Sequence, residues 1–308
     1  MSSVHRTTPP PRETAITMAL AKSAGAVEAV APGRWAFTLS NGTDLAASAW
    51  IDDGWLLLDA ALGVGSPPAP RLWQFLQWNA ALGGGARFAL HPRQPGLRVR
   101  AEVPLDEEVD LGGRVHEAYT GLKAAMRTME YGPGDGSGVP GDAVRGDLSD
   151  LCRQTGWDFS EREPGRLAVD LDVPGAFQQA IVEAYRDRGV AVAVPLLDPA
   201  GAEPPAQVCR QALGLLLLRV CGIVRMARAA AETRAGVTQA RFEVVFGTSP
   251  CVAELTHAFA ALSVACRLAA REAAVLWDDE TVARAYVEQW QPPTASTQGG
   301  SSWDRQRQ

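Results

Sequence analysis

The chain has 308 residues, of which 46% are hydrophobic and 21% charged, and it carries a formal net charge of −6 with a pI near 5.3. This composition is typical of a folded globular protein of about two domains and excludes a chain that is disordered throughout. The excess of acidic residues argues against nucleic acids and anionic membranes as partners, because both attract basic surfaces.

The termini and the cysteines indicate a cytoplasmic protein without membrane insertion. The first residues, MSSVHRTTPPPRE, contain a proline run where a secretory signal would need an apolar core. The most apolar stretch, 212–224, is interrupted by Arg219, which predicts a buried helix rather than a membrane span. The five cysteines form no CxxC pair, so we expect buried thiols in a reducing compartment.

Low-complexity segments divide the chain into two halves of similar size. Segments rich in Pro, Gly, Ser or Gln cannot bury enough apolar surface to order themselves. The predicted divisions are a disordered tail at 1–13, a first domain at 14–130, a Gly/Pro linker at 131–146, a second domain at 147–290 and a disordered tail at 291–308.

In the first half, two turn dipeptides separate three runs of alternating apolar residues. Asn41-Gly42 and Asp53-Gly54 favour the positive φ angles of type I′ turns, so residues 35–60 predict a three-stranded antiparallel meander. A short helix precedes the meander, and a helix, two strands and a closing helix follow it. These five elements are predicted at 14–24, 70–82, 87–90, 97–103 and 110–130.

The second half predicts nearly the same order of elements. Helices are expected at 147–155, 205–231, 252–276 and 278–290, and strands at 167–173, 190–197 and 241–247. The segment 177–188 is ambiguous. Its residue propensities slightly favour a helix, whereas the repeat and the Asp187-Arg188-Gly189 turn favour a strand.

The repeated α-β-β-β-α-β-β-α order resembles the type III secretion chaperone-like superfamily, which includes the YbjN-like proteins of bacteria. The stretches that carry the resemblance are GRWAFTLSNGTDLAASAWIDDGWLLLDA and GRLAVDLDVPGAFQQAIVEAYRDRGVAVAVPLL, and it covers most of residues 14–290. The family's acidic character agrees with the net charge. The resemblance implies a small α+β domain that usually forms a homodimer and binds partner polypeptides on its sheet and helix surfaces without catalysis.

Two such copies in one chain predict an intrachain pseudo-dimer of tandem α+β domains, each an antiparallel sheet packed with helices. In the resembling family the middle helix contributes to the dimer interface, and its counterparts here are 70–82 and 205–231. The second is apolar nearly all round, so one face should pack against the first copy. The residues expected between the copies are Leu72, Leu76, Leu213, Leu216, Leu217, Val220 and Val224.

None of the polar clusters predicts catalysis. Residues 63–65 begin like a dinucleotide loop, but Pro68 stands where such a loop needs its third glycine. His116-Glu117 has no second histidine at HExxH spacing. Cys266 follows His257 on an apolar seam, where burial keeps a thiol inert. We therefore expect no catalytic, metal-ligating or cofactor-binding residues and no cofactor.

Tryptophan is concentrated in the first half. Five of the nine tryptophans fall within 44 positions, at Trp35, Trp50, Trp55, Trp73 and Trp78. Core filling explains this concentration, and so does a partner-binding face, because tryptophan anchors dominate interface energetics. Both interpretations stay open, and these residues are the candidates for partner binding.

The sequence therefore predicts a non-enzymatic chaperone-like or adaptor protein that holds another protein or peptide. We expect it to act as a monomeric pseudo-dimer or a low-order oligomer. Two alternatives remain. One is an enzyme or small-ligand-binding protein with its site between the copies, where pockets commonly form. The other is a structural subunit that docks the seam of its last helix onto another chain.

Overall fold

A computed structural model describes residues 11–63, 65, 67–91, 96–133, 147–171, 173, 178–185, 189–197, 206–234 and 237–291. Within these residues the protein is α+β, with two antiparallel sheets of six strands each and seven helices. The predicted fold class is thus confirmed at the level of two similar units of sheet and helix.

The first half consists of a helix, four strands, a second helix, two strands and a third helix. The helices are α1 (Pro11–Ala24), α2 (Ala69–Ala81) and α3 (Leu111–Tyr131). The strands are β1 (Val27–Ala31), β2 (Arg34–Ser40), β3 (Asp44–Asp52), β4 (Trp55–Ala61), β5 (Arg87–Leu90) and β6 (Leu97–Pro104). The order across the sheet is β1-β2-β3-β4-β6-β5, which places β5 at one edge.

The second half repeats this succession and adds one terminal helix. The helices are α4 (Leu148–Thr155), α5 (Gln207–Ile223), α6 (Val252–Asp278) and α7 (Glu280–Trp290). The strands are β7 (Phe159–Glu163), β8 (Arg166–Leu171), β9 (Gln178–Tyr185), β10 (Gly189–Leu197), β11 (Arg228–Arg234) and β12 (Val237–Phe246). Its sheet order, β11-β12-β10-β9-β8-β7, is the counterpart of the first, with β11 in the place of β5.

The predicted α-β-β-β-α-β-β-α order is wrong by one strand in each half. Four strands precede the middle helix, because β1 and β7 each form an additional edge strand. All but the first residue of each of these strands is exposed. An edge strand with both faces in solvent needs no alternation of apolar and polar residues, and that alternation is the signal on which strand prediction depends.

The predicted extent of the helix at 205–231 is also wrong. Helix α5 ends at Ile223, Met226 adopts a positive φ of 60°, and the alanine-rich residues that follow belong to β11. Alanine favours helix locally, but here pairing with β12 decides the conformation. The ambiguous segment is the strand β9, which pairs with β8 on one side and β10 on the other.

Two smaller predictions differ in detail. Asp53 and Gly54 have φ angles of 47° and 78°, as a type I′ turn requires, whereas Asn41 does not adopt a positive φ and a three-residue loop joins β2 to β3. Helix α1 begins at Pro11, inside the segment assigned to the first tail. Most of the predicted linker, residues 134–146, lies outside the described residues.

The middle helices of the two halves are exchanged in their packing. Helix α2 packs on β11 of the second half, and α5 packs on β5 of the first. The buried apolar residues of both halves form one continuous cluster. Two glycines of α5 allow the close approach. A Cβ on Gly222 would lie 2.2 Å from the carbonyl oxygen of Leu90, and one on Gly214 would lie 2.9 Å from Cβ of Leu72.

We expect Gly222→Ala to destabilise the protein by about 2–3 kcal/mol, because a methyl group would press against the backbone of β5. Gly112→Ala in the first turn of α3 is the control. Its Cβ would meet only Asp110, at 3.6 Å, so stability should stay the same or rise by up to about 1 kcal/mol. Urea denaturation measures both. An unchanged midpoint for Gly222→Ala would contradict the packing of α5 on β5.

Candidate functional site

The end of α5 is capped by an arginine from the other half. The last carbonyl groups of a helix have no partner within it and carry partial negative charge. Helix α5 has no basic residue in its last turn. Arg87 of β5 supplies the charge, since its guanidinium donates to the carbonyl oxygens of Cys221 and Val224, both at 2.8 Å.

The end of α2 is capped in the same way by the second half. Helix α2 likewise has no basic residue in its last turn. Arg228 of β11 donates to the carbonyl oxygens of Leu82 at 2.7 Å, Gly84 at 3.3 Å and Ala86 at 3.1 Å. Each half therefore satisfies a helix end of the other.

Each capping arginine also forms an ion pair with a glutamate on the neighbouring strand. Arg87 pairs with Glu102, and Arg228 pairs with Glu243 at 2.8 Å. All four side chains are at most 3% exposed. Burial acts to raise the pKa of Glu102, but Arg87 and the neighbouring Arg100 outweigh it and hold that pKa below the ordinary value of 4.5.

A third buried ion pair joins α3 to α6. Arg114 of α3 binds both carboxylate oxygens of Glu254, at 2.5 and 2.9 Å, and donates to Glu117 at 2.6 Å. Glu117 also accepts a hydrogen bond from the backbone N–H of Gly247 at 2.5 Å. These carboxylates are bound by arginine and backbone donors, which is the arrangement of a structural joint rather than of an acid–base pair.

The sequence reasoning missed these charged residues, although the sequence contains a signal for them. Ala-Arg at 86–87 recurs at 227–228, and Arg-x-Glu-Val at 100–103 recurs at 241–244. Both pairs of motifs are 141 residues apart. Of the pair His116-Glu117, His116 is exposed and Glu117 is buried.

Outside the interface, an open groove of about 650 Å³ lies between α5, α6 and α7. Five of the eight large apolar side chains exposed among the described residues line it or lie one helical turn away: Ile223, Val264, Leu268, Val275 and Val282. At its wall Arg219 stacks on Trp290, 3.2 Å from the ring centroid, and donates to the hydroxyl of Tyr286. Contiguous exposed apolar surface of this kind is typical of protein interaction sites.

A second cavity, which we name the α2 cleft, lies between the end of α2 and the second sheet. Its volume is about 470 Å³. Its apolar lining consists of four alanines, a valine and a leucine: Ala80, Ala81, Ala191, Ala231, Val245 and Leu82. Its polar lining comes from Gln77, Arg228, Glu232, Thr233, Arg241 and Glu243. The cleft borders the buried pair of Arg228 and Glu243, so it lies at the junction of the two halves.

Two of the five candidate tryptophans belong to the core of the first half. Trp35 is 2% exposed and donates to the hydroxyl of Thr17 at 2.9 Å. Trp78 is 5% exposed and packs edge-on against Phe75. Neither side chain is accessible to a partner in this structure.

The other three candidate tryptophans are half-buried, and two of them contact the second half. Trp55 packs edge-on against His257, with 4.8 Å between ring centroids. Trp73 donates to the carbonyl oxygen of Arg210 at 2.7 Å. Trp50 lies on β3. The structure therefore does not bring the five tryptophans together on one face.

The residues expected between the copies are all buried. Leu72 of α2 approaches α5 at Gly214, which places it between the halves as expected. Leu216 and Val220, however, line the groove beside α6 and α7. Helix α5 thus has one side against the first half and another against its own terminal helices.

The described residues hold no group of three or more His, Cys, Asp or Glu side chains placed to bind a metal ion. No helix among them has the length and apolar character needed to cross a membrane. Burial raises the pKa of the Cys266 thiol to about 12, in agreement with the inert thiol predicted.

The sequence matches no protein-family model and no curated protein.

We expect Arg228→Met to destabilise the protein by about 3–5 kcal/mol, because it leaves buried carbonyl groups without their donor and Glu243 without one of its two arginine partners. Arg153→Met is the control, since that arginine pairs with Asp150 on the surface and should contribute less than about 1 kcal/mol. Chemical denaturation measures both variants. Equal effects of the two would contradict the capping role.

The lowered pKa of Glu102 predicts a loss of stability in acid. A carboxylate with a pKa lowered by folding contributes its full stabilisation above its unfolded value, here 4.5, and loses it as the pH falls through the folded value. We expect Glu102→Gln to be less stable at pH 7 and to lose less stability between pH 7 and pH 3. Urea titrations across that range test this, and parallel curves for the two proteins would contradict it.

Proposed function

We propose that this protein is a non-enzymatic, chaperone-like or adaptor protein that holds a partner polypeptide. The groove between α5, α6 and α7 carries the proposal, because it gathers most of the exposed large apolar side chains of the described chain. Such a surface is costly to leave in water and gains free energy when a partner covers it.

Within this proposal the two halves act as an intrachain pseudo-dimer. In a twofold dimer every contact from one residue to another is repeated in the opposite direction. The caps of Arg87 on α5 and of Arg228 on α2 are such a repeated contact. The packing of α2 on β11 and of α5 on β5 is a second one.

The occupant best suited to the groove is an amphipathic helix with an acidic polar face. Three helices form the groove, and an apolar groove between helices is a common receptor for a further helix. Arg219 and Arg271 line it against one carboxylate, Glu272, so its ionisable side chains leave an excess of positive charge. That charge favours an acidic partner segment.

The enzyme alternative receives less support from the geometry. A general acid or base must exchange its proton with a substrate, but Glu102, Glu117, Glu243 and Glu254 are bound in ion pairs.

All five cysteines are free thiols. We therefore keep the cytoplasm, a reducing compartment, as the proposed location.

The groove is tested with Leu268→Glu and Val275→Glu, which place a charge on its apolar wall. Val30→Glu on β1 is the matched control, since Val30 is 56% exposed and lies far outside the groove lining. All three substitutions are at exposed positions, so each should change stability by less than about 0.5 kcal/mol. We expect the two groove variants to bind the partner at least tenfold more weakly than the wild type does. The control should bind it with unchanged affinity.

A photo-crosslinking amino acid at position 268 identifies what occupies the groove in the native host. Crosslinks to one acidic amphipathic segment of another protein, lost in Val275→Glu, are the expected result. Crosslinks between copies of this chain would overturn the proposal in favour of a self-assembling structural subunit. Unchanged partner affinity in both groove variants would also overturn it.

A further inference from the structure

The α2 cleft occupies a place that the first half fills with a tryptophan. Strand β4 pairs with β6 so that Trp55 lies opposite Pro104, and β10 pairs with β12 so that Ala191 lies opposite Val245. Pro104 and Val245 are 141 residues apart, the same spacing that relates the capping arginines. Ala191 is therefore the counterpart of Trp55.

The arginine beside Trp55 also has a small counterpart. Arg225 of the second half lies over the ring of Trp55, 5.7 Å from its centroid, and forms an ion pair with Asp52. At the same repeat spacing, the counterpart of Arg225 is Gly84. The indole of Trp55 is thus replaced by the methyl group of Ala191, which lines the open cleft. Gly84 does not line it, and a Cβ there would meet the side chain of Glu117 at 3.0 Å.

We propose that the α2 cleft binds an aromatic side chain, above all an indole, presented by a partner polypeptide. The first half shows that this position beside a sheet and a helix end accommodates an indole, in the form of Trp55. The cleft's volume, about 470 Å³, falls within the usual range for small-ligand sites. That the occupant belongs to a polypeptide rests on the proposed function.

The lining of the cleft suits such an occupant. Ala80, Ala191 and Ala231 present methyl groups to a flat ring. Arg241 is held by Glu232 and Glu243 at the wall and is partly exposed, so its guanidinium face is available for stacking. At the rim the amide of Gln77 donates to the hydroxyl of Thr233 at 3.3 Å, and these two polar groups suit the backbone beside the ring.

The probe for this site is N-acetyl-L-tryptophanamide, added to the full-length protein labelled with 13C at its alanine methyl groups. An indole in the cleft shifts nearby methyl resonances through its ring current. We expect saturable shifts at Ala80, Ala191 and Ala231, and at least tenfold weaker binding of N-acetyl-L-leucinamide. The absence of shifts, or shifts confined to alanines of α6 and α7 beside the groove, would overturn the proposal.

A variant whose own side chain fills the cleft gives the decisive test of the site. Ala191→Trp recreates the arrangement of Trp55, so it should shift the methyl resonances of Ala80 and Ala231 by itself and abolish probe binding. Ala29→Trp on the exposed strand β1 is the matched control and should bind the probe as the wild type does. If Ala191→Trp fails to fold, Ala191→Leu is the second variant. It partly fills the same space and should lower the affinity for the probe at least fivefold.

Probe binding to Ala191→Trp with wild-type affinity would overturn the cleft as an indole site. This outcome is distinct from failure of the proposed function, because the cleft is measured by alanine methyl shifts and the groove by crosslinks from position 268. A partner held by the groove together with an inert cleft would refute only the present inference.

Discussion

Arg87 and Arg228 each extend from an edge strand of one half to the last carbonyl groups of a helix in the other. A buried guanidinium is stable only where it is paired and hydrogen-bonded, and here a glutamate and a helix end together meet that condition. Other features depend on this arrangement. Met226 adopts its positive φ while its N–H donates to Glu102, the partner of Arg87.

The same exchange removes the boundary that two tandem domains would otherwise have. The helix ends approach the opposite edge strands so closely that Gly222 has no room for a side chain. Apolar residues of both halves then merge into one cluster, and Trp55 and Trp73 contact the second half. The buried arginine–glutamate pairs and most of the candidate tryptophans are therefore engaged in contacts within the chain.

The open groove and the open cleft arise from differences between the halves. Helix α7 has no counterpart in the first half, and together with α5 and α6 it forms the apolar groove. Ala191 stands where the first half has Trp55, and it lines the open α2 cleft. The contacts that the two halves share stabilise the chain, and the differences between the halves leave these surfaces open.

The sequence alone determined the elements whose residues meet a core, because burial imposes a period on them: the meander β2–β4, the strands β5 and β6, and the helices α2, α3 and α6. It did not determine β1 or β7, which have no buried face, or β11, whose alanines favour helix until β12 pairs with them. Only the tertiary structure decided which charges are buried and which apolar residues stay exposed. Arg87 and Leu268 are ordinary residues of their segments until packing places one inside and the other outside.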